Sequence, residues 1–218
     1  MLRNSGADIV ALQEVSQTQG NALEDGLQDI FQYRSLFPGG FAGKAILSRF
    51  PILGAVQLIN FPDRPDLKTV IDVAGQKVTV ITAHPPPPRF HRTGFHFDFQ
   101  TISQINALAE LAKRDSPSIL MGDFNFVDSQ NEYKIMIKNG LRDAFHESGS
   151  GYGYTLPRRV GPWRRMQQLN RILSWVPLIP AARVDYIWCT SAIKCDLCWV
   201  GKDAGSDHLP VLAKLIIN

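Results

Sequence analysis

Several stretches of strand length in this sequence end in polar side chains that a buried core would not select. In SILMGDFN, residues 118–125, an apolar run stops at Gly122 and gives way to an acid, an aromatic residue and an amide. Further acids and histidines stand at the ends of other apolar stretches, and the full set is Glu14, His84, Asp123, Asn125, Asp185, Asp207 and His208. One acid at a strand end is usually a solvated turn residue or a helix cap. Only the set as a whole therefore indicates chemistry.

The chemistry that this set fits is metal-assisted attack of water on a phosphate ester. Mg²⁺ prefers oxygen ligands, and one or two carboxylates commonly hold it together with water and substrate oxygens. Glu14 and Asp207 can supply these carboxylates, and a bound ion would polarise the phosphoryl oxygen and offset charge on the leaving group. We therefore expect Mg²⁺ as the cofactor, with Mn²⁺ or Ca²⁺ as alternatives.

The attacking water also needs a base, and the developing charge on the phosphate needs stabilising. Asp123 is the candidate that positions or deprotonates the water, while the Asn125 amide would donate to water or phosphate. His208 can present a positive charge to the phosphoryl oxygens. Asp185 behind it would fix its tautomer and raise its basicity, so these two residues are the predicted dyad.

The motifs that carry these residues resemble the endonuclease/exonuclease/phosphatase superfamily, whose members share the deoxyribonuclease-I-like fold. ADIVALQEV, AILSRFPI, TAHPPPP, ILMGDFN, RVDYIW and GSDHLPV stand in the family's order between Ala7 and Leu215. The resemblance implies an α/β fold, a four-layered sandwich of two packed β-sheets flanked by helices, with a divalent-metal phosphoesterase site at one end. It implies the same roles for the residues above, and it makes His84 the histidine that contacts the scissile phosphate.

One departure from the family pattern concerns the N-terminus. Members normally begin with a strand that ends in asparagine, followed by a helix, before the strand that ends in Gln-Glu. Only a few residues precede Ala7 here, so the sequence is either a fragment of a longer protein or has lost this element. We expect a longer natural chain. As written, the chain would be cytoplasmic, and an N-terminal extension with a membrane segment would make it membrane-associated.

The periodicity of the sequence predicts the elements that must position these residues. Strands are expected at residues 7–15, 44–49, 69–73, 77–83, 118–122, 184–190, 193–200 and 210–217. Helices are expected at residues 18–31 and 101–114, the second with Thr101 as its N-cap. No internal repeat or Gly/Ser-rich linker marks a boundary, so residues 1–218 are expected to form one catalytic domain.

Composition and cysteine content exclude little. The net charge of +3 is too small to indicate a nucleic-acid partner, and it excludes none. The cysteines, Cys189, Cys195 and Cys198, are odd in number and confined to the last 30 residues, which is not the pattern of a disulfide framework. We expect free thiols and no zinc cluster, and no obligate protein partner is evident.

Two loops are candidates for choosing the substrate. In the first, residues 84–100, a proline run leads into Arg89 and Arg92, which can contact phosphate or simply belong to an ordered surface loop. The second, residues 161–180, has the pattern of a basic amphipathic helix that carries Arg164 and Arg165. Such a helix can lie on a phospholipid surface or contact a nucleic-acid backbone, and it can equally pack on the sandwich.

These observations predict a divalent-metal-dependent phosphoesterase that hydrolyses phosphodiester bonds, with phosphomonoesters as a second class. A nucleic acid, a phospholipid or an inositol phosphate would be the substrate, since the fold alone selects none of them. The alternative is a catalytically impaired module of the same fold that binds or scaffolds.

Overall fold

The computed structural model describes residues 2–59, 63–92, 94–157 and 179–218. Arg164, Arg165 and the predicted amphipathic helix, up to residue 178, lie outside the described residues. In chain order the strands are β1 Ile9–Gln13, β2 Tyr33–Phe37, β3 Lys44–Ser48, β4 Ile52–Leu58, β5 Asp66–Val73, β6 Gln76–Ala83, β7 Arg89–His91, β8 Gly94–His96, β9 Ser118–Asp123, β10 Arg142–Asp143, β11 Gly149–Ser150, β12 Asp185–Cys189, β13 Ile193–Val200 and β14 Val211–Ile217. The described helices are α1 Gln17–Gly26, α2 Phe99–Arg114, α3 Asn131–Lys138 and α4 Ala144–Ser148.

A six-stranded sheet in the order β10-β12-β9-β6-β5-β4 forms the centre of the molecule. Two three-stranded sheets, β1-β3-β2 and β11-β13-β14, pack on one of its faces and share a core that includes Ile46, Ile71 and Ile187. Helices α2 and α3 cover the opposite face, and α1 covers the outer face of β1-β3-β2. The result is the predicted α/β sandwich of four layers.

Helix α2, predicted at residues 101–114 and observed at Phe99–Arg114, shows how apolar periodicity can locate a helix. Ile105, Leu108 and Ala112 recur at helical spacing and are fully buried against the six-stranded sheet. The prediction that Thr101 is the N-cap was wrong. The N-cap is Asp98, whose carboxylate accepts a hydrogen bond from the Thr101 backbone N–H at 2.8 Å, because a carboxylate satisfies a free helix N–H and favours the positive end of the helix dipole.

The strand directions bring the predicted polar residues to one end of the sandwich. Strands β6 and β9 are parallel, so His84 follows β6 at the end where Asp123 closes β9. Strand β12 runs antiparallel to β9, and its first residue, Asp185, stands directly opposite Asp123. Strand β1 packs against β6 and β9 and leads into Glu14. The order and direction of four strands thus bring these residues to one end of the sandwich. The two that are farthest apart in the sequence, Glu14 and Asp185, are separated by 171 positions.

Strands β1 and β14 each form the edge of a three-stranded sheet. Their side chains are only partly buried, whereas every residue of β3, between β1 and β2, is buried. The strand that the family pattern places before β1 stays a prediction, as does the single domain over residues 1–218. None of the helices in the described part of the chain combines the length and apolar character that a bilayer crossing requires. Cys189, Cys195 and Cys198 are buried free thiols.

Gly122 allows the ends of β6 and β9 to approach each other closely just before Asp123. It has a φ of +150°, and a Cβ added there would lie 1.9 Å from the carbonyl oxygen of Ala83. We predict that Gly122→Ala lowers the free energy of unfolding by about 2 kcal/mol or more, because the two backbones must separate. Urea denaturation measures this.

Gly54→Ala in strand β4 is the matched control, since a Cβ at Gly54 meets no described residue within 4 Å. It should change the free energy of unfolding little. Equal stability of the two variants would show that the close approach at Gly122 is unimportant.

Candidate active site

The Gly-Asp-Phe-Asn turn after β9 fixes Asp123 at the mouth of the site. The Asn125 backbone N–H donates to Asp123 Oδ1 at 2.9 Å, and the Asn125 side chain donates from Nδ2 to the Pro85 carbonyl oxygen at 2.9 Å. Asn125 has a φ of +56°, a conformation that asparagine adopts more readily than most residues. The amide therefore ties the turn to the segment after His84 and keeps its second Nδ2 proton and its Oδ1 for other contacts.

His208 and Asp185, the predicted dyad, are in contact. Asp185 Oδ2 lies 2.8 Å from His208 Nδ1, and His208 Nε2 faces Asp123 Oδ2 at 3.9 Å. Burial lowers the pKa of His208, but the hydrogen bond and the negative charge of Asp185, helped by Asp123 and Asp207, outweigh it and raise the pKa to about 9. His208 is therefore protonated at neutral pH and can donate from Nε2.

The pKa of Asp123 is also raised, but burial is the main cause. Burial first, and then the negative charge of Asp185, raise its pKa to about 7, while His208 and the Asn125 N–H act in the other direction. A carboxyl whose pKa is close to neutral can take up a proton during turnover and release it again. The site thus pairs a carboxyl of raised pKa with a histidine of raised pKa, a combination that is common at catalytic centres.

His84 is buried beneath these groups. Its Nε2 lies 3.2 Å from Arg64 Nη1 and 3.5 Å from Asp123 Oδ2, and its Nδ1 lies 3.8 Å from Glu14 Oε1. Burial, and then the positive charges of Arg64 and Lys44, lower its pKa to about 3. His84 is therefore neutral, and with Nε2 accepting from Arg64 its proton is on Nδ1, pointing towards Glu14.

A second buried carboxyl, Asp66 at the start of β5, holds the strand end that carries His84. Asp66 Oδ1 accepts from the His84 backbone N–H at 3.2 Å, and Oδ2 accepts from Gln104 Nε2 at 2.8 Å. Burial raises the pKa of Asp66 from 3.8 to about 6. Within the described residues, Gln104 Oε1 is buried without a hydrogen-bond partner. If the side-chain amide were rotated by 180°, this oxygen could accept the proton of a neutral Asp66.

The raised pKa of Asp66 predicts a pH dependence of stability. The folded state holds this proton more tightly than the unfolded state, so Asp66 stabilises the fold at about pH 4 and loses that contribution as the pH rises through about 6. Because one pKa unit corresponds to about 1.4 kcal/mol, the loss is on the order of 3 kcal/mol at most. Asp66→Asn, which cannot ionise, should gain stability relative to the wild type between about pH 4.5 and about pH 7.5.

Urea denaturation of both proteins at the two pH values measures this difference. Asp72→Asn, on the same strand, is the control and should follow the wild type. A wild-type protein and an Asp66→Asn variant whose free energies of unfolding change in parallel with pH would contradict the assignment.

The two arginines predicted to contact substrate lie on the hairpin β7-β8. Arg89 and Arg92 are exposed, and Arg89 Nη2 is 3.9 Å from Asp98 Oδ2. Among the described residues, no ion pair joins either arginine to the acids of the site. The structure instead brings Arg64, Lys44 and Asp66 to the site, and sequence reasoning missed all three.

Comparison with known proteins decides the family. The model of the Endonuclease/Exonuclease/phosphatase family matches residues 1–208. The chain belongs to this family. A search of curated proteins found no match. Family members are nucleases and other phosphoesterases and are generally dependent on a divalent metal, so this chain belongs among hydrolases of phosphate esters.

Solved structures of the Endonuclease/Exonuclease/phosphatase family have the same fold at low sequence identity. A family member from Bacteroides vulgatus is 18% identical with a TM-score of 0.70, covering 100% of this chain and 87% of its own. D. rerio TDP2, complexed with a single strand DNA product, is 16% identical with a TM-score of 0.71, covering 99% and 88%. A mannosyl-6-phosphatase from Bacteroides thetaiotaomicron is 17% identical with a TM-score of 0.69, covering 100% and 88%.

The donor set of this family member fits a hard divalent cation. Glu14, the residue after Gln13 of β1, has a half-exposed carboxylate, and burial and then the negative charge of Asp207 raise its pKa. Two carboxylates that repel each other at the solvent edge are a suitable pair for Mg²⁺, which would cancel their repulsion and take its remaining ligands from water and substrate.

A second group also brings three ligand atoms together. One atom each of Asp123, Asp185 and His208 lies within 4.8 Å of the others. Two observations argue against a Mg²⁺ site at this point. His208 Nδ1 is already engaged with Asp185, and imidazole is a poor ligand for Mg²⁺ compared with carboxylate oxygen. We therefore keep Glu14 and Asp207 as the candidate metal ligands.

Proposed function

We propose that this protein is a divalent-metal-dependent phosphoesterase that hydrolyses phosphodiester bonds by activated water, with Mg²⁺ as the ion. Glu14 and Asp207 would hold the metal. Asp123 would position or deprotonate the water, Asn125 would contact the phosphate, and His208, oriented by Asp185, would stabilise the developing charge. His84, which the resemblance assigns to the phosphate, is buried with Nε2 on Arg64, so it would act on the phosphate through Arg64.

The observation that carries the proposal is the short distance between a carboxyl and an imidazole whose pKa values are both raised. Asp123 Oδ2 lies 3.9 Å from His208 Nε2, with pKa values of about 7 and about 9 respectively. Near neutral pH a large share of Asp123 can accept a proton while His208 carries one. A binding module has no need of such a pair, because buried ionisable groups are costly.

Each side chain has a distinct role in the proposed reaction. Asp123 takes the proton of the attacking water at Oδ2, while its Oδ1 is held by the Asn125 N–H. His208 donates from Nε2 to a phosphoryl or leaving oxygen, and the Asp185 hydrogen bond holds the imidazolium in place. When bound, the metal supplies a positive charge that polarises the phosphoryl group.

The substrate class stays broad: a nucleic acid, a phospholipid or an inositol phosphate. The neighbours do not narrow it, since one is complexed with a single strand DNA product and another is named a mannosyl-6-phosphatase. A screen of duplex DNA, single-stranded DNA, RNA, sphingomyelin and inositol phosphates with Mg²⁺ tests the proposal. Mg²⁺-dependent hydrolysis of at least one of these supports it, whereas a scaffold would show neither turnover nor stabilisation by Mg²⁺.

A further inference from the structure

Two buried cations, Lys44 and Arg64, stand at the site without a salt-bridge partner among the described residues. Lys44 is 1% exposed and Arg64 is 9% exposed. Among the described residues, no carboxylate oxygen comes within 4.0 Å of either one, although Glu14 and Asp123 in the same site contact histidines. A buried positive charge is costly unless a negative group compensates it. The charges of Glu14, Asp66 and Asp123 act on these cations only from beyond that distance, so a bound anion would supply the direct contact that both cations lack.

Arg64 is held rigidly on two sides. Its guanidinium carbon lies 3.6 Å from the centroid of the Phe41 ring, and its Nη1 lies 3.2 Å from His84 Nε2. The rings of Phe41 and His84 are themselves in edge contact, with centroids 5.4 Å apart. Within the described part of the chain, His84 is the only polar partner of this guanidinium. Its other N–H groups are thus left for a ligand, and a guanidinium fork matches the oxygens of a phosphate.

The position of Arg64 relates it directly to the reacting groups. His84 Nε2, which contacts Arg64, is also 3.5 Å from Asp123 Oδ2, and His208 approaches the same oxygen from its own side. Arg64 is thus next to the histidine that faces Asp123, and His208 faces the same carboxylate directly. We expect a phosphate bound beside Asp123 to meet cationic donors from both Arg64 and His208.

Lys44 contributes positive charge to the site without a direct contact to the substrate. Its ammonium donates to the Ala42 carbonyl oxygen at 3.1 Å and is too buried to meet a substrate from solution. Its positive charge still reaches the site, because it lowers the pKa of both His84 and Glu14. Lys44 therefore adds to the positive potential at the place where Arg64 presents its donors.

We propose that Arg64 binds the non-bridging oxygens of the substrate's phosphate group, positioned by Phe41 and His84, with Lys44 adding charge from behind. This inference rests on the proposed function, because it places a phosphate in the same cleft. It adds to that function a phosphate-binding side chain that none of the catalytic motifs contains.

Binding of inorganic phosphate tests the inference without turnover. Calorimetric titration in the presence of Mg²⁺ compares the wild type with Arg64→Gln and Arg64→Lys. We expect Arg64→Gln to raise the phosphate Kd by at least about tenfold, the scale of a lost charged hydrogen bond. Arg64→Lys keeps the charge but loses the fork and the stacking on Phe41, and it should raise the Kd by a smaller factor. Arg49→Gln, at an exposed arginine that pairs with Asp8, is the control and should bind as the wild type does.

The outcomes separate this inference from the proposed function. A phosphate Kd that is unchanged in both Arg64 variants, or no measurable binding by the wild type, overturns the inference even if hydrolysis is observed. Phosphate binding that depends on Arg64 in a protein without hydrolysis supports the inference and rejects the function. Arg64→Lys keeps the test valid if Arg64→Gln does not fold, since it preserves the positive charge and most of the side-chain volume.

Discussion

Asp123→Asn is expected to lower kcat by at least about a hundredfold, the usual scale for the loss of a general base. The asparagine keeps the shape of the side chain and can still accept the Asn125 N–H through Oδ1, so the turn after β9 should stay intact. What is lost is the ability to take up a proton beside His208. Asp123→Ala should be at least as inactive.

Stability distinguishes this explanation from simple misfolding. Burial and the charge of Asp185 disfavour the ionised form of Asp123, so the asparagine variant should be at least as stable as the wild type above about pH 7. Asp25→Asn, at an exposed acid on α1, is the control and should leave kcat unchanged. A folded Asp123→Asn variant with wild-type kcat would remove Asp123 from the reaction.

His208→Ala is the second variant for which we expect a loss of at least about a hundredfold in kcat, because it removes a protonated donor from the reacting phosphate. The side chain is protonated at neutral pH because of Asp185, with which it shares a 2.8 Å hydrogen bond. Kinetic measurement on a phosphodiester substrate, with His146→Ala at an exposed histidine as control, tests this.

Asp185 should act only through His208. Asp185→Asn alone is expected to reduce kcat, because the pKa of His208 falls and its orientation loosens. In a His208→Ala background the same change should have little further effect, since residues that work as a unit are not additive. If the double variant instead loses kcat by the product of the two single-variant factors, Asp185 acts independently of His208. That result would favour a direct role for Asp185, such as metal binding.

The catalytic motifs were readable from the sequence because each stands at the end of a strand. Ser118 to Asp123 is buried core up to its last residues, so the acid that closes it is conspicuous. The pairing of strands then decides which of these ends meet, and the structure shows β9 parallel to β6 and antiparallel to β12. The resemblance supplied the expectation of one site at one end of the sandwich, which periodicity alone does not give.

Elements without a buried face escaped prediction. Strand β4 is an edge strand whose residues are mostly exposed, so it shows no alternation. Helix α3 is two turns long, has one fully buried residue, Met136, and lacks a side-chain N-cap.

Helix α1 was predicted to end at residue 31 but ends at Gly26, whose carbonyl oxygen accepts from Arg3. Leu27 and Phe31 nevertheless continue the apolar spacing into the following turn. Apolar spacing marks which side chains are buried, and not where a helix stops.

Arg64, Lys44 and Asp66 could not be found as site residues from the sequence. Arg64 and Asp66 stand before and in β5 with no neighbouring motif, and Lys44 precedes the motif AILSRFPI, in which no site residue was predicted. Their meeting at His84 depends on three-dimensional contacts between β3, β5 and β6. A lysine that opens an apolar strand, as Lys44 opens β3, usually lies at the solvent edge. Its burial is a property of the packed sandwich, which is why the structure was needed to reveal it.

The central claim, hydrolysis that depends on a divalent metal held by Glu14 and Asp207, is tested most directly by removing and restoring the metal. Hydrolysis of a generic phosphodiester would be measured before EDTA treatment, after it, and after addition of Mg²⁺, for the wild type and for Glu14→Gln. We expect EDTA to abolish activity and Mg²⁺ to restore it in the wild type, with Glu14→Gln failing to recover at the same Mg²⁺ concentration. Hydrolysis that is indifferent to EDTA, or equal recovery by Glu14→Gln, would contradict the account.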